Sequence, residues 1–122
     1  FLLQSLKNFA ANGRVSQAAA KLTQLFNIRI LGQASREGKL ELLHKCHGET
    51  RSFEAVLSTL KKAGVERGRL IVTHCLNEPG ALSLRELLHT AFPQSKITVA
   101  PCGGLCSYYA ERGGLLVGYE AF

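Results

Sequence analysis

The sequence predicts an α/β domain, a mixed β-sheet with helices packed on it. Three observations carry that prediction. Apolar residues recur at helical spacing in four stretches, near residues 2–11, 15–26, 50–63 and 78–92. Short runs rich in Val, Ile and Leu, bounded by Gly, Asn or Ser, stand between or after them. The order strand, helix, strand over 69–100 is a βαβ unit, whose two strands are parallel, whereas an earlier pair reads as an antiparallel hairpin.

Taken in order, Leu2, Leu3, Leu6, Phe9 and Ala10 have helical spacing, and Asn12-Gly13 ends that helix because both residues tolerate positive φ. A second helix presents Val15, Ala18, Ala19, Leu22, Leu25 and Phe26 on one face. Ile28 to Gly32 is a strand, residues 35–38 turn, and Lys39 to His47 returns antiparallel. Thr50 is placed to cap the next helix, which buries Phe53, Val56, Leu57, Leu60 and Ala63 and closes at Gly64 after Lys61 and Lys62. Arg69 to Cys75 is a strand whose apolar run suits a central place in the sheet. Asn77 caps the following helix, with Pro79 in its first turn and Leu84, Leu87, Leu88, Ala91 and Phe92 as its buried side. Lys96 to Ala100 and Leu115 to Tyr119 are the last strands, with a glycine-rich loop between them. The predicted order is helix-helix-β-β-α-β-α-β-loop-β.

The bulk numbers narrow the class. A length of 122 residues fits one domain, 1–122, that can bury roughly two-thirds of its unfolded surface without staples. No apolar run approaches the ~18 residues that cross a bilayer, and no signal peptide is visible. The chain has no Met, even at its start, and so reads as a piece of a longer protein or a processed product. All nine acidic residues are Glu, which weakens any proposal resting on Asp. The net charge of +6 is scattered from Lys7 to Arg112 rather than clustered as a nucleic-acid footprint would be. Four cysteines are too few for a disulfide scaffold, so a reduced, cytoplasmic setting is expected.

Each candidate chemistry has a plainer competitor. Cys102 and Cys106 have a plausible ligand gap, with His44, Cys46, His47, His74 and Cys75 elsewhere, but zinc needs four groups converging, and these sets belong to different elements with no second CxxC. No metal or cofactor is therefore expected. Helix, Asn12-Gly13-Arg14, helix resembles a helix-turn-helix with Gln17, Lys21 and Gln24 on an open face. That nucleic-acid-binding module is the alternative reading, set against an amphipathic helix simply packed on the sheet. Ser107 or either late cysteine has no locally spaced base to make it a nucleophile. His74 ends a strand just before a helix, where α/β proteins place ligands, or is a half-buried histidine with one backbone hydrogen bond. The closing stretch GGLCSYYAERGGLLVGYE joins Gly103, Gly104, Gly113 and Gly114 to Tyr108 and Tyr109, with Leu105, Leu115, Leu116 and Val117 on the approaches. Such a loop suits the rim of an apolar slot for an amphiphile, and Arg14 at a helix start suits an anion. The glycines are equally explained as turns, and composition alone does not choose.

At these residues the chain resembles the DegV family of bacterial fatty-acid-binding proteins. Leu6 through Ser16, with Gly13-Arg14-Val15-Ser16, is similar to that family's "GR(I/V)S" segment. Asn27 through Leu40 is similar to its strand hairpin, and the closing stretch to a terminal motif of one branch. The likeness runs over essentially the whole chain and matches the second of two domains, the C-terminal lipid-binding one, with the N-terminal domain absent. The resemblance implies a two-layer unit with a mixed sheet of about five to six strands and no enzymatic activity of its own. It implies a long-chain fatty acid whose carboxylate lies at the interface with the N-terminal domain of the same protein and whose tail lies in the apolar interior here. In some members a separate fatty-acid kinase phosphorylates the presented carboxylate. Partners expected are thus the fatty acid, the missing domain and that kinase, with no nucleic acid and no membrane span.

Residue by residue, Arg14 matches the arginine near the head group. Gly13, Gly104, Leu105, Ser107, Tyr108, Tyr109, Gly114 and Leu115 complete the expected lipid-binding set. Where the family's familiar closing motif carries a His, this chain has Tyr108 or Tyr109. Tyrosine hydrogen-bonds a head group but is a poor proton or phosphate shuttle near pH 7. The departure bears on phosphoryl transfer and leaves lipid binding intact.

Overall fold

The computed structural model describes residues 1–25 and 27–121. The elements run β1 (Leu2–Leu3), α1 (Lys7–Ala11), α2 (Gln17–Leu22), β2 (Ile28–Ala34), β3 (Leu40–His47), α3 (Gly48–Lys62), β4 (Gly68–His74), α4 (Glu78–Ala91), β5 (Ser95–Pro101), α5 (Gly104–Ala110) and β6 (Leu115–Tyr119). Six strands form one sheet in the order β3-β2-β1-β6-β4-β5. Only β4 and β5 are parallel, in register from Gly68↔Ser95 to His74↔Pro101; the other neighbours are antiparallel.

The alternation of strand side chains splits the interior in two. On one face Leu70 and Val72 of β4, Leu2, Leu31 and Leu115 meet Phe53, Val56 and Leu60 of α3 and Ala81, Leu84 and Leu88 of α4. On the other face Leu3, Ile28 and Ile30 meet Leu6, Ala10, Ala20 and Ala110, so α1, α2 and α5 cover it. That second cover is partial, for Ile71 on β4 remains 47% exposed.

The expected mixed sheet with packed helices is observed, as are the hairpin, the central β4, the parallel β4–β5 pair and the Asn77 cap, whose Oδ1 accepts from the Gly80 N–H at 3.2 Å. Four details differ. Leu2 and Leu3 are a strand between β2 and β6, not the start of a helix; the adjacent leucines serve opposite faces, a pattern that spacing alone confuses with a helix. Helix α3 begins at Gly48 without a side-chain cap, so Thr50 lies inside its first turn. Helix α2 is shorter than expected and buries Ala20, whereas Ala18, Leu22 and Leu25 are exposed; Phe26 lies outside the described residues. The glycine-rich loop contains α5, whose opening glycines hide a helix of seven residues.

Candidate functional site

The tip of the α1–α2 turn and helix α5 form one corner. Gly13 has φ +71, a left-handed value that favours glycine, and this lets the Arg14 N–H turn back to the Phe9 carbonyl at 2.8 Å. Arg14 is exposed, and its Nη1 donates to the Asn12 carbonyl at 2.7 Å. Asn12 Nδ2 donates both to the Asn8 carbonyl at 2.9 Å and to the Tyr108 hydroxyl at 2.8 Å. Asn8 fixes the same helix from its other side: its Nδ2 donates to the Tyr108 carbonyl at 2.7 Å and its backbone N–H to Glu111 Oε2 at 3.1 Å. Aromatic rings complete the join. Phe9 stacks on Tyr109 with centroids 4.6 Å apart, Tyr108 meets Tyr109 edge-on at 5.1 Å, and Phe1 lies 6.0 Å from Phe9.

Helix α5 is held down at its middle and at its C-terminal end. Ser107 Oγ donates to the Cys102 carbonyl at 3.2 Å, and Cys75 Sγ donates to the Ser107 carbonyl at 3.7 Å. Gly114 is buried against the end of α5, where an added Cβ would overlap the Ala110 carbonyl. Beneath it the Cys75 N–H donates to the Gly114 carbonyl at 3.0 Å, which ties the start of β6 to the end of β4. Asn77 reinforces this junction, for its Nδ2 donates to the Gly113 carbonyl at 3.0 Å.

The structure therefore gathers Gly13, Arg14, Ser107, Tyr108 and Tyr109 around one corner, with Gly114 behind α5. Gly104 and Leu105 stand at the opposite, solvent-facing end of α5, and Leu105 is 73% exposed. Leu115 is fully buried on the other face of the sheet, in the α3–α4 core.

An apolar cavity of about 320 Å³ lies beside Phe1, ahead of β1, between the stretches of β2 and β6 that run past Leu2. Phe1, Leu31 and Val117 line it from the sheet, and Val56, Thr59 and Leu60 from α3. Leu116 also lines it, so the opening reaches side chains of both sheet faces. Its volume falls at the lower end of the roughly 300–1,000 Å³ typical of ligand pockets. None of the nine expected lipid-binding residues lines it, although Leu116 and Val117 were expected on the approaches. Phe1 joins cavity and corner, since its ring lines the first and approaches Phe9 in the second. The lining comes from residues far apart in sequence, and only the α3 stripe of Val56 and Leu60 and the approach residues Leu116 and Val117 signalled any of it.

His74 is half-buried and its Nδ1 accepts from the Asn77 N–H at 3.2 Å, the plain structural role. Among the described residues no three or more His, Cys or Glu side chains are grouped to hold a metal ion. Burial pushes the Cys102 thiol up; a hydrogen bond to the Thr73 hydroxyl opposes this, and the nearby Cys106 and Cys75 add to it. No helix among the described residues is long and apolar enough to cross a membrane.

Comparison with known proteins gives a consistent answer. The family model described as the DegV family matches residues 1–121. A DegV domain-containing protein of Streptococcus pneumoniae is 43% identical over 120 residues, and one of Streptococcus gordonii is 39% identical over the same length; each match covers 98% of this chain and 43% of the relative. The chain thus spans less than half the length of these curated relatives. Among solved structures, a DegV family protein from Eubacterium eligens loaded with heptadecanoic acid superposes with a TM-score of 0.95 at 38% identity, covering 99% of this chain and 44% of that one. The Streptococcus pneumoniae fatty acid kinase (Fak) B3 protein loaded with linoleic acid gives a TM-score of 0.92 at 42% identity, covering 99% and 43%. On the strength of the family match over nearly its whole length, this chain belongs to the DegV family.

Proposed function

We propose that this chain binds a long-chain fatty acid, as a carrier rather than an enzyme. The observation that carries the reading is the apolar cavity lined by Val56 and Leu60 of α3, Leu31 of β2 and Val117 of β6, linked through Phe1, Phe9 and Tyr109 to a corner bearing Tyr108 and Arg14. The tail lies in the cavity, where each buried CH₂ contributes about 0.8 kcal/mol, and the carboxylate lies toward the guanidinium and the tyrosine hydroxyls. Gly13, Ser107 and Gly114 shape that corner; Leu115 backs the core behind it. The two relatives loaded with heptadecanoic and linoleic acid support the choice of ligand class.

The chain is the C-terminal domain of a two-domain protein, residues 1–122, in a cytoplasmic setting. Its span of less than half of the relatives supports the two-domain reading, and so do Leu76 at 76% and Leu105 at 73% exposure, both beside the C-terminal ends of β4 and β5. The N-terminal domain covers these leucines and Gly104, and supplies further contacts to the carboxylate. A fatty-acid kinase is the further partner, presented with that carboxylate.

Native mass spectrometry tests the reading. A chain extended to the length of its relatives is expected to carry fatty acid out of the cell and to take up added palmitate after delipidation. This chain alone is expected to bind it more weakly. Failure of the extended chain to bind any of palmitate, oleate or linoleate refutes the carrier reading.

A further inference from the structure

Cys75 and Cys102 occupy a relationship that the lipid reading does not use. Strands β4 and β5 are parallel and in register up to His74↔Pro101, and the Cys102 N–H donates to the His74 carbonyl at 2.8 Å, so the ladder continues one step further. That step sets Cys75 beside Cys102. Neighbouring strands lie about 4.8 Å apart, within the ~4.4–6.8 Å Cα separation that a disulfide spans. Both side chains belong to the face covered by α5. Cys102 Sγ reaches Thr73 Oγ1 at 3.6 Å, two residues before Cys75 on its strand, and Cys75 Sγ donates to the Ser107 carbonyl on α5. Each is half-buried among apolar neighbours, and both thiols are free. Cys106, on α5, is exposed, and Cys46 is buried on the opposite face.

We propose that Cys75 and Cys102 form a vicinal dithiol that a hydroperoxide closes to a cross-strand disulfide. One thiolate attacks the peroxide, the O–O bond breaks, and the alcohol leaves with a proton, giving a sulfenic acid. The second sulfur displaces the sulfenic oxygen as water and the S–S bond forms. In sum two thiols and one hydroperoxide give one disulfide, one alcohol and one water. Bridging removes the Cys75 bond to Ser107 and the Cys102 bond to Thr73, so closure releases α5 from one of its sheet anchors.

Two independent measurements on the full chain test this. Phenylarsine oxide, which bridges adjacent thiols, is expected to bind in one equivalent and to shield Cys75 and Cys102 from maleimide while Cys106 stays reactive. Cys75→Ser or Cys102→Ser is expected to abolish that binding, and Cys106→Ser to leave it intact. Cumene hydroperoxide is expected to remove two hydrogens and yield a Cys75–Cys102 crosslinked peptide under non-reducing digestion. Because wild-type protein is used for the crosslink, a variant that fails to fold does not blunt the test. A crosslink through Cys106, over-oxidation without a crosslink, or arsenical binding that survives Cys75→Ser would each overturn the proposal.

Discussion

The Asn12 side-chain amide and the Tyr108 hydroxyl meet at 2.8 Å, joining two residues 96 positions apart across the outer surface of one corner. Asn12 caps α1 and Tyr108 is carried by α5, so a single exposed hydrogen bond reports on whether both helices are seated. Tyr108→Phe is expected to leave the fold intact and to cost no more than about 1 kcal/mol, because exposed partners recover water. Chemical denaturation measures it; a larger loss means that the hydroxyl does more than join the helices.

Arg14 is exposed, and its Nη1 contact is a backbone carbonyl, with no carboxylate paired to it among the described residues. Arg14→Gln is therefore expected to be neutral for stability and to weaken fatty-acid binding by roughly tenfold, the scale of one charge-assisted hydrogen bond. Titration of delipidated, extended-length protein with palmitate gives the ratio. An unchanged affinity removes Arg14 from the head group.

Filling the cavity separates its role from that of the corner. Thr59 lines it from α3 and its hydroxyl bonds only its own helix, at the Ala55 carbonyl. Thr59→Phe is expected to reduce acyl binding at least tenfold while changing stability by less than about 3 kcal/mol, the range for overpacking. Retained binding would place the tail elsewhere.

The stacked pair in the corner gives a stability prediction. Phe9→Ala is expected to cost about 2–3 kcal/mol, below the ~3–5 kcal/mol of a fully buried ring, because Phe9 is half-buried. A double-mutant cycle with Tyr109→Ala is expected to return a coupling of about 1 kcal/mol.

Cys102 sets a pH dependence. Burial, with the Cys106 and Cys75 charges, raises its folded-state value above that of a free thiol, so the folded chain holds the proton longer than the unfolded one. Its stabilising contribution is present in full below the ordinary thiol range and is lost as pH rises through that range to the folded value. Stability is expected to decline on the alkaline side, and Cys102→Ala to flatten part of that decline in denaturant titrations at several pH values.

Most of the architecture was legible because it rests on long periodic stretches. The α3 and α4 stripes, the hairpin and the β4–α4–β5 unit each repeat their signal several times. Leu2 and Leu3 carried no such signal: two residues cannot show a period of two, and with Leu6 and Phe9 nearby they completed a helical pattern. Helix α5 was hidden for a related reason, since Gly103 and Gly104 disfavour a helix locally and its hold comes from Asn8, Asn12 and Phe9 some hundred residues earlier. The corner's chemistry was visible as residue types, Arg14 and the tyrosines. The cavity was not, because its lining is drawn from β2, β6 and α3 together and belongs to no single segment.

The two outer strands carry a consequence for how copies of this chain behave in concentrated solution. β3 and β5 end the sheet, and each would offer an open row of backbone donors and acceptors to a neighbour. β3 presents Glu41, His44 and Lys45 to water, and β5 presents Lys96 and ends in Pro101. Burying those charges against a second copy is costly, and the proline lacks a donor, so lateral fusion into fibrils is opposed at both borders.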